Sequence, residues 1–378
     1  MRSGADSGRG ACLLIGLGAR PALERLLRRS DGRPVVVLVK PAEQALWQDC
    51  ETITAEFRAD AQKMEFRKGC FSPEFLDKVR AMRFDRVIVP SFAPTTWRDN
   101  ALEVLAAELA GTVEAAPLNG RPARVYTGET LHRLAYNKAY MSGMLAVVPG
   151  VDGQNVLEVG CSDGLACDMI AQLGAAKVCG VDLWTENVGS EFASAVTEFR
   201  RCDATRLPYA DESFELSFSI ATFEHVREPW AVLAEMARVT KVGGCVFVQA
   251  GPLYHSPFGH HMFECFKEIP WAHLRFPAEQ LVSMVRQNSQ AVAVARARGC
   301  TPEQYVHGML GRDHINGLAL PEYRLAEFAA SVGAEVLKLS TSYEGREALT
   351  SEIKAELSRF EPERLIEHGF EFCFRRTR

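Results

Sequence analysis

The chemistry-bearing residues gather first in the run Val156-Leu-Glu-Val-Gly-Cys-Ser-Asp-Gly164, where an apolar strand leads into a turn with two glycines and acidic side chains. Gly160 and Gly164 let the backbone turn sharply and approach a ligand, and a helix expected over Leu165 to Leu173 aims its N-terminus there. The arrangement reads as a cradle for a nucleotide cofactor. Asp182 ends a second strand about 20 residues beyond the turn, where a carboxylate accepts hydrogen bonds from ribose hydroxyls. A dinucleotide fits poorly, because Ser162 and Leu165 occupy positions where glycines would admit a pyrophosphate. Asp163 reads equally as a helix cap or as a ligand.

Three further stretches follow in order: Arg201-Cys-Asp-Ala-Thr-Arg-Leu-Pro208, then Asp211 to His225, then Ala234 to Gly244. Together with the glycine turn they resemble the class I S-adenosylmethionine-dependent methyltransferases, in the type 11-like branch with a C-D-A-x-x-L-P loop and an R-V-L-K-P-G-G turn. The resemblance covers roughly residues 151 to 253. It implies a Rossmann-like α/β sheet and S-adenosylmethionine as cofactor. It also implies that Glu158, Gly160 and Gly164, with Cys161 and Ser162 in the same turn, line the methionine part. Asp182 then holds the ribose, Asp203 and the Ala204 backbone meet the adenine, and Leu183 and Trp184 wall the ring. Ser162, Glu215 and Val242 depart from the glycine, aspartate and proline usual in that pattern.

Methyl transfer from a sulfonium is an in-line displacement, so a hydroxyl acceptor needs alignment, exclusion of water and a base. His225 closes the expected fourth strand, and His255, His260, His261 and His273 crowd the segment after the fifth, among Trp271 and several phenylalanines. His260 or His261 is the favoured base, with His225 next, although any single histidine reads more readily as structural. Tyr136, His255, Trp271 and His273 are the expected acceptor contacts. His260 and Glu264 would share a helix face near His255, which suits a transition metal, but the spacing matches no recognised motif and no metal is expected. The Ser256-Pro-Phe-Gly-His-His and Ile269-Pro-Trp-Ala-His-Leu segments resemble those of bacterial methyltransferases of surface-carbohydrate or secondary-metabolite assembly, which implies a hydroxyl-bearing small molecule or a glycan as acceptor, hence O-methylation. The alternatives are an N-methyltransferase of a small metabolite and a catalytically silent cofactor-binding scaffold.

These residues need elements to hold them, and 378 residues at 47% hydrophobic content suffice for two domains. Residues 1–118 read as a small N-terminal α/β domain, with strands near Cys12, Pro34, Thr52 and Arg86 and helices over Pro21 to Arg29, Phe75 to Arg83 and Asn100 to Ala110. Residues 119–150 form a linker and a cofactor-capping helix that carries Tyr136. Residues 151–378 form the methyltransferase domain with a substrate-side insertion at about 252–319, closed by a helix from Leu320 and two last strands. A net charge of −5 with no dense basic run excludes a nucleic-acid partner. The 11 scattered cysteines make no C-x-x-C pair, which points to the cytoplasm. No apolar run approaches the roughly 18 residues of a membrane span. Homo-oligomerisation is left open.

Overall fold

The computed structural model describes residues 140–378 and, ahead of them, residues 11–15, 35–39, 51–54, 71–82, 84–91, 105, 112–117, 124–127 and 137–138. The chain divides into two compact units, Met1–Ala146 with Met169–Gly174, and Val147–Asp168 with Ala175–Arg378.

In the first unit, β1 (Ala11–Ile15), β2 (Val35–Val39), β3 (Glu51–Thr54), β4 (Phe84–Ser91), β5 (Thr112–Pro117) and β6 (Arg124–Thr127) form one sheet, ordered β3-β2-β1-β4-β5-β6. The first five strands are parallel and β6 runs antiparallel to β5. Helix α1 (Pro73–Ala81) starts where the Ser72 hydroxyl accepts the Phe75 N–H, with proline in its first turn, and it buries Phe75 and Val79. The expected helix over Pro21 to Arg29 lies outside the described residues, as does that over Asn100 to Ala110 apart from Leu105.

From Val147 on, the chain forms β7 (Asn155–Val159), α2 (Leu165–Gln172, whose residues from Met169 group with the first unit), β8 (Lys177–Asp182), β9 (Thr197–Arg201), β10 (Phe214–Ile220), α3 (Pro229–Val239) and β11 (Thr240–Ala250). A helical insertion follows: α4 (Phe263–Phe266), α5 (Ala272–Arg275), α6 (Ala278–Gln287), α7 (Ser289–Ala297) and α8 (Pro302–Leu310). It closes with α9 (Leu325–Ser331), β12 (Ala334–Tyr343), α10 (Ser351–Glu356), α11 (Pro362–Ile366) and β13 (Glu367–Arg376). The seven strands are ordered β12-β13-β11-β10-β7-β8-β9. Strands β7 to β11 are parallel, and β13 runs antiparallel to both β11 and β12. This is the Rossmann-like α/β sheet expected from the sequence.

The central strands are almost continuously apolar because a parallel sheet is covered on both faces. Leu157, Val159, Val246 and Val248 pack against Val232, Leu233 and Met236 of α3, Phe328 of α9, and Phe370, Phe372 and Phe374 of β13. The buried hydroxyls of the central strands have partners: Ser217 bonds Thr240 at 2.7 Å, and Ser219 donates to the Val159 carbonyl at 2.8 Å. The insertion has its own core of Met262, Phe266, Leu281, Val285 and Val306. Its helices stop and start as local chemistry dictates. Asn288 caps α7, and Thr301 with Gln304 forms a capping box ahead of Pro302 at α8. Among the described residues, no helix is long and apolar enough to cross a membrane.

The chain leaves β7 toward β8 and β9, then returns to build β10 and β11 on its other side. That reversal puts a topological switch between β7 and β10, whose carboxyl ends open a crevice for ligands.

Packing beside this switch is tight at Gly180 in β8, where an added Cβ would lie 2.8 Å from each of Cys161 Cβ, Cys167 Sγ and a Phe199 ring carbon. Gly180→Ala should lower the unfolding free energy in urea by about 1–3 kcal/mol. Gly308→Ala, in open space on α8, should instead gain about 0.5–1 kcal/mol. Equal midpoints for the two variants would contradict this packing.

Candidate active site

The turn after β7 is clamped to β8: Gly160 and Cys161 both donate their N–H to the Val181 carbonyl, at 2.8 and 3.1 Å. Gly160, Ser162 and Gly164 have φ of 83°, 47° and 87°, so the turn is left-handed at three points. Gly160 tolerates no side chain, because its Cβ would fall 2.1 Å from Thr222 Oγ1 in the turn after β10. The two lips of the crevice therefore touch at Gly160 and Thr222.

Asp182 stands at the end of β8 and accepts the Ser162 N–H on Oδ2 at 2.9 Å and the Trp184 N–H on Oδ1 at 3.0 Å. A carboxylate oxygen accepts two hydrogen bonds, so each keeps capacity for a hydroxyl donor. Leu183 and Trp184 are 55% and 59% exposed, and the Arg201 guanidinium lies 4.9 Å from the Trp184 ring centre. Asp203 takes the Thr205 N–H and hydroxyl on one oxygen, at 2.9 and 2.8 Å, which lowers its pKa. Ala204 beside it is half-buried. Asp163 accepts the Leu165 N–H at 3.0 Å, as a residue opening a helix does.

Glu158 is 3% exposed, and the Cys167 thiol of α2 donates to it at 2.9 Å. Burial, opposed by that hydrogen bond and reinforced by Asp163 and Asp182, pushes its pKa up to about 8. At neutral pH it holds its proton unless a cation arrives.

The histidines separate into groups that the sequence placed together. His225 lies on a 3-10 turn (Phe223–His225) beyond β10 rather than in the strand. Its Nδ1–H donates to the His314 carbonyl. His261 is left-handed at φ 55°, and its Nε2–H donates to the Pro252 carbonyl at 2.9 Å. The ring centres of His225 lie 4.9 Å from both His261 and His314. Burial, foremost, and mutual repulsion lower the pKa of His261 to about 3 and of His314 to about 4. Burial also lowers that of His225, so all three rings are neutral at neutral pH.

His260, expected on the acceptor side with His261, faces the interior instead. It is fully buried, its Nδ1 accepts the Met262 N–H at 2.9 Å, and its ring lies 5.3 Å from that of His273. Burial drives its pKa down to about 2. It lies outside α4, so it shares no helix face with the exposed Glu264. His273 is 9% exposed and donates to the Tyr254 carbonyl at 2.6 Å. Trp271, also expected at the acceptor, is fully buried against Leu274, Leu349 and Leu365, with its indole N–H on the Leu365 carbonyl at 2.8 Å. His255 packs between Tyr254 and Phe360 at 5.3 and 5.4 Å. Tyr136 lies outside the described residues.

Asn316, which the sequence reading passed over, and Glu224 organise this end of the crevice. Asn316 donates through Nδ2 to the carbonyls of Phe223 and Val226, at 2.8 and 2.9 Å, and through its backbone N–H to Glu224 at 2.8 Å. These bonds stitch the loop after α8, with His314, onto the turn with His225. The signal available was the polar Gly311-Arg-Asp-His-Ile-Asn-Gly317 between two helices, which is turn chemistry with no hint of its partner. The other is Glu224, 1% exposed, whose carboxyl is raised to about 8 by burial despite hydrogen bonds from its own N–H and that of Gly251.

Residues 157–248 match a family model described as a methyltransferase domain. An uncharacterized methyltransferase of Mycobacterium tuberculosis H37Ra is 32% identical over 146 residues, 37% of this chain and 55% of that protein. A ubiquinone biosynthesis O-methyltransferase of Rhizobium rhizogenes is 29% identical over 103 residues, 26% of this chain and 41% of that protein. The chain thus spans about half the length of the curated relatives it matches. A crystal structure of an S-adenosylmethionine-dependent methyltransferase from Mesorhizobium loti superposes with TM-score 0.39 at 15% identity, covering 63% of this chain and 98% of that one. The resemblance read from the motif order is borne out by the family match.

The raised carboxyl of Glu224 makes a pH prediction. Between 4.5 and about 8 the unfolded chain has released a proton that the fold retains, so stability from this group falls as pH rises through that window. Glu224→Gln should flatten that fall in unfolding free energy. An unchanged slope across the window would show that the carboxyl is ionised in the folded protein.

Proposed function

We propose that this chain, with its methyltransferase domain over residues 157–248, is an S-adenosylmethionine-dependent methyltransferase acting on a hydroxyl of a small molecule or glycan. The observation that carries the cofactor is the pairing of Asp182 with the Gly160–Gly164 turn, since both oxygens of Asp182 face backbone donors yet keep capacity for ribose hydroxyls. The left-handed glycines let the backbone of the turn approach the ligand without a side chain between. Asp203 and Ala204 are proposed for the adenine edge, and the exposed Leu183 and Trp184 for its faces. Glu158, with Cys161 and Ser162 nearby, is proposed for the ammonium end, where a positive charge would draw its proton off.

The cofactor supplies an electrophilic methyl group on a sulfonium. The acceptor oxygen forms the new C–O bond as the C–S bond breaks, and the hydroxyl proton leaves to a base. His225 and His261 are proposed for that base because each commits one ring N–H to a carbonyl and leaves the other nitrogen unprotonated. An oxygen acceptor is supported by the relative named for O-methylation.

Asp182→Ala should weaken calorimetric affinity for S-adenosylmethionine by about tenfold or more, since losing paired hydroxyl contacts is worth at least 1.4 kcal/mol. Unchanged affinity, or tighter binding of NAD, would remove the cofactor assignment. With methyl-labelled cofactor and fractionated small-molecule and glycan extracts, His261→Ala should reduce labelling about a hundred-fold while cofactor affinity holds. His260→Ala should lower stability first, because it empties a core position. Label on nitrogen would replace the oxygen reading, and cofactor binding without any labelled product would favour a silent scaffold.

A further inference from the structure

We infer that His225, His261 and His314 form a site for one divalent transition-metal ion, with at least one coordination position left to solvent or to an acceptor oxygen. One ligating atom from each ring lies within 4.8 Å of the others, and this is the cluster of potential metal ligands found among the described residues. Tetrahedral zinc with Zn–N bonds of about 2.0–2.1 Å needs nitrogens about 3.4 Å apart, so the rings close by roughly an ångström on binding.

Two of the free lone pairs can be assigned from the hydrogen bonds. A backbone carbonyl only accepts, so Nδ1 of His225 and Nε2 of His261 carry the protons that bond His314 and Pro252. That leaves Nε2 of His225 and Nδ1 of His261 as acceptors. Metal-bound histidines are oriented in this way, with the far N–H tied to a carbonyl or carboxylate. Nε2 of His314 is buried and has no hydrogen-bond partner. A buried imidazole lone pair with no donor is costly unless a cation takes it.

Each ligand also sits on backbone held independently of any ion. His225 belongs to the 3-10 turn after β10, and His261 is fixed by its N–H on the Phe258 carbonyl at 2.9 Å. His314 rides on the loop that Asn316 ties to Phe223, Glu224 and Val226. An all-imidazole set selects zinc, cobalt, nickel, copper or iron over magnesium or calcium, which prefer oxygen ligands. The site differs from the His255, His260 and Glu264 grouping considered from sequence, because His260 faces the core and already accepts the Met262 N–H.

Only the chemical role of the ion rests on the proposed methyl transfer. An acceptor hydroxyl at the open position would lose its proton to solvent more readily, and its oxygen would then take the methyl group. In that case the ion, rather than a free imidazole, activates the acceptor.

The test uses the untagged full chain, stripped with a chelator and titrated with Zn2+ or Co2+. We expect one ion per chain, the visible absorption of four-coordinate cobalt, and a raised melting temperature with saturating Zn2+. His261→Ala and His314→Ala should each weaken binding about a hundred-fold or more, while His307→Ala, an exposed histidine of α8, should not. No saturable single site, or full affinity in both cluster variants, overturns the inference. Should a variant fail to fold, the wild-type stoichiometry and cobalt spectrum decide alone. A chain that transfers methyl groups but takes up no metal sinks this inference and leaves the function standing. One that binds metal but transfers nothing does the reverse.

Discussion

The contact between Gly160 and Thr222 is the constraint on which the rest of the site depends. Parallel pairing of β7 with β10 sets Val156 beside Leu216 and Glu158 beside Phe218, which delivers the two following turns to one place. The turns approach so closely that position 160 has no room for a Cβ. One turn runs on into Ser162 and the start of α2, against Asp182. The other runs on into Glu224 and His225. The proposed cofactor cradle and the imidazole cluster thereby share a boundary, as methyl transfer between two bound molecules would require.

Around this boundary the protein keeps polar groups in the interior under tension of different kinds. Asp182 is satisfied and stays accessible to donors. Glu158 and Glu224 are buried carboxyls that hold protons near neutral pH because burial outweighs their hydrogen bonds. The histidines show the opposite sign, with burial holding them neutral well below their ordinary range. The buried carboxyls and imidazoles therefore carry little charge of their own at neutral pH.

What could be read from sequence was what local pattern carries. The V-L-E-V-G-C-S-D-G run announces strand, left-handed turn and helix, and the spacing to Asp182 follows from one helix between two strands. The closing strands were legible for the same reason. Burial in the loop after β11 was not. His260, Trp271 and His273 look like pocket residues by type, yet tertiary packing turns them inward, where the indole and one imidazole N–H find backbone carbonyls. His314 was missed because nothing near it in sequence refers to His225. Their meeting is made by Asn316, whose partners lie about 90 residues away. Of the Arg238 to Gly244 stretch, expected as a turn, Arg238 and Val239 close α3 and Thr240 to Gly244 are drawn into β11, where Gly244 passes 2.7 Å, at its would-be Cβ, from the Glu215 carbonyl.

The most direct test of a cofactor cradle built at this contact is amide chemical-shift perturbation in the full chain on adding S-adenosylhomocysteine. The account predicts the largest shifts at Gly160 to Gly164, at Asp182 to Trp184 and at Asp203 to Ala204, with smaller ones at Thr222. Saturable shifts confined to the six-stranded N-terminal sheet, or none at all, would contradict it.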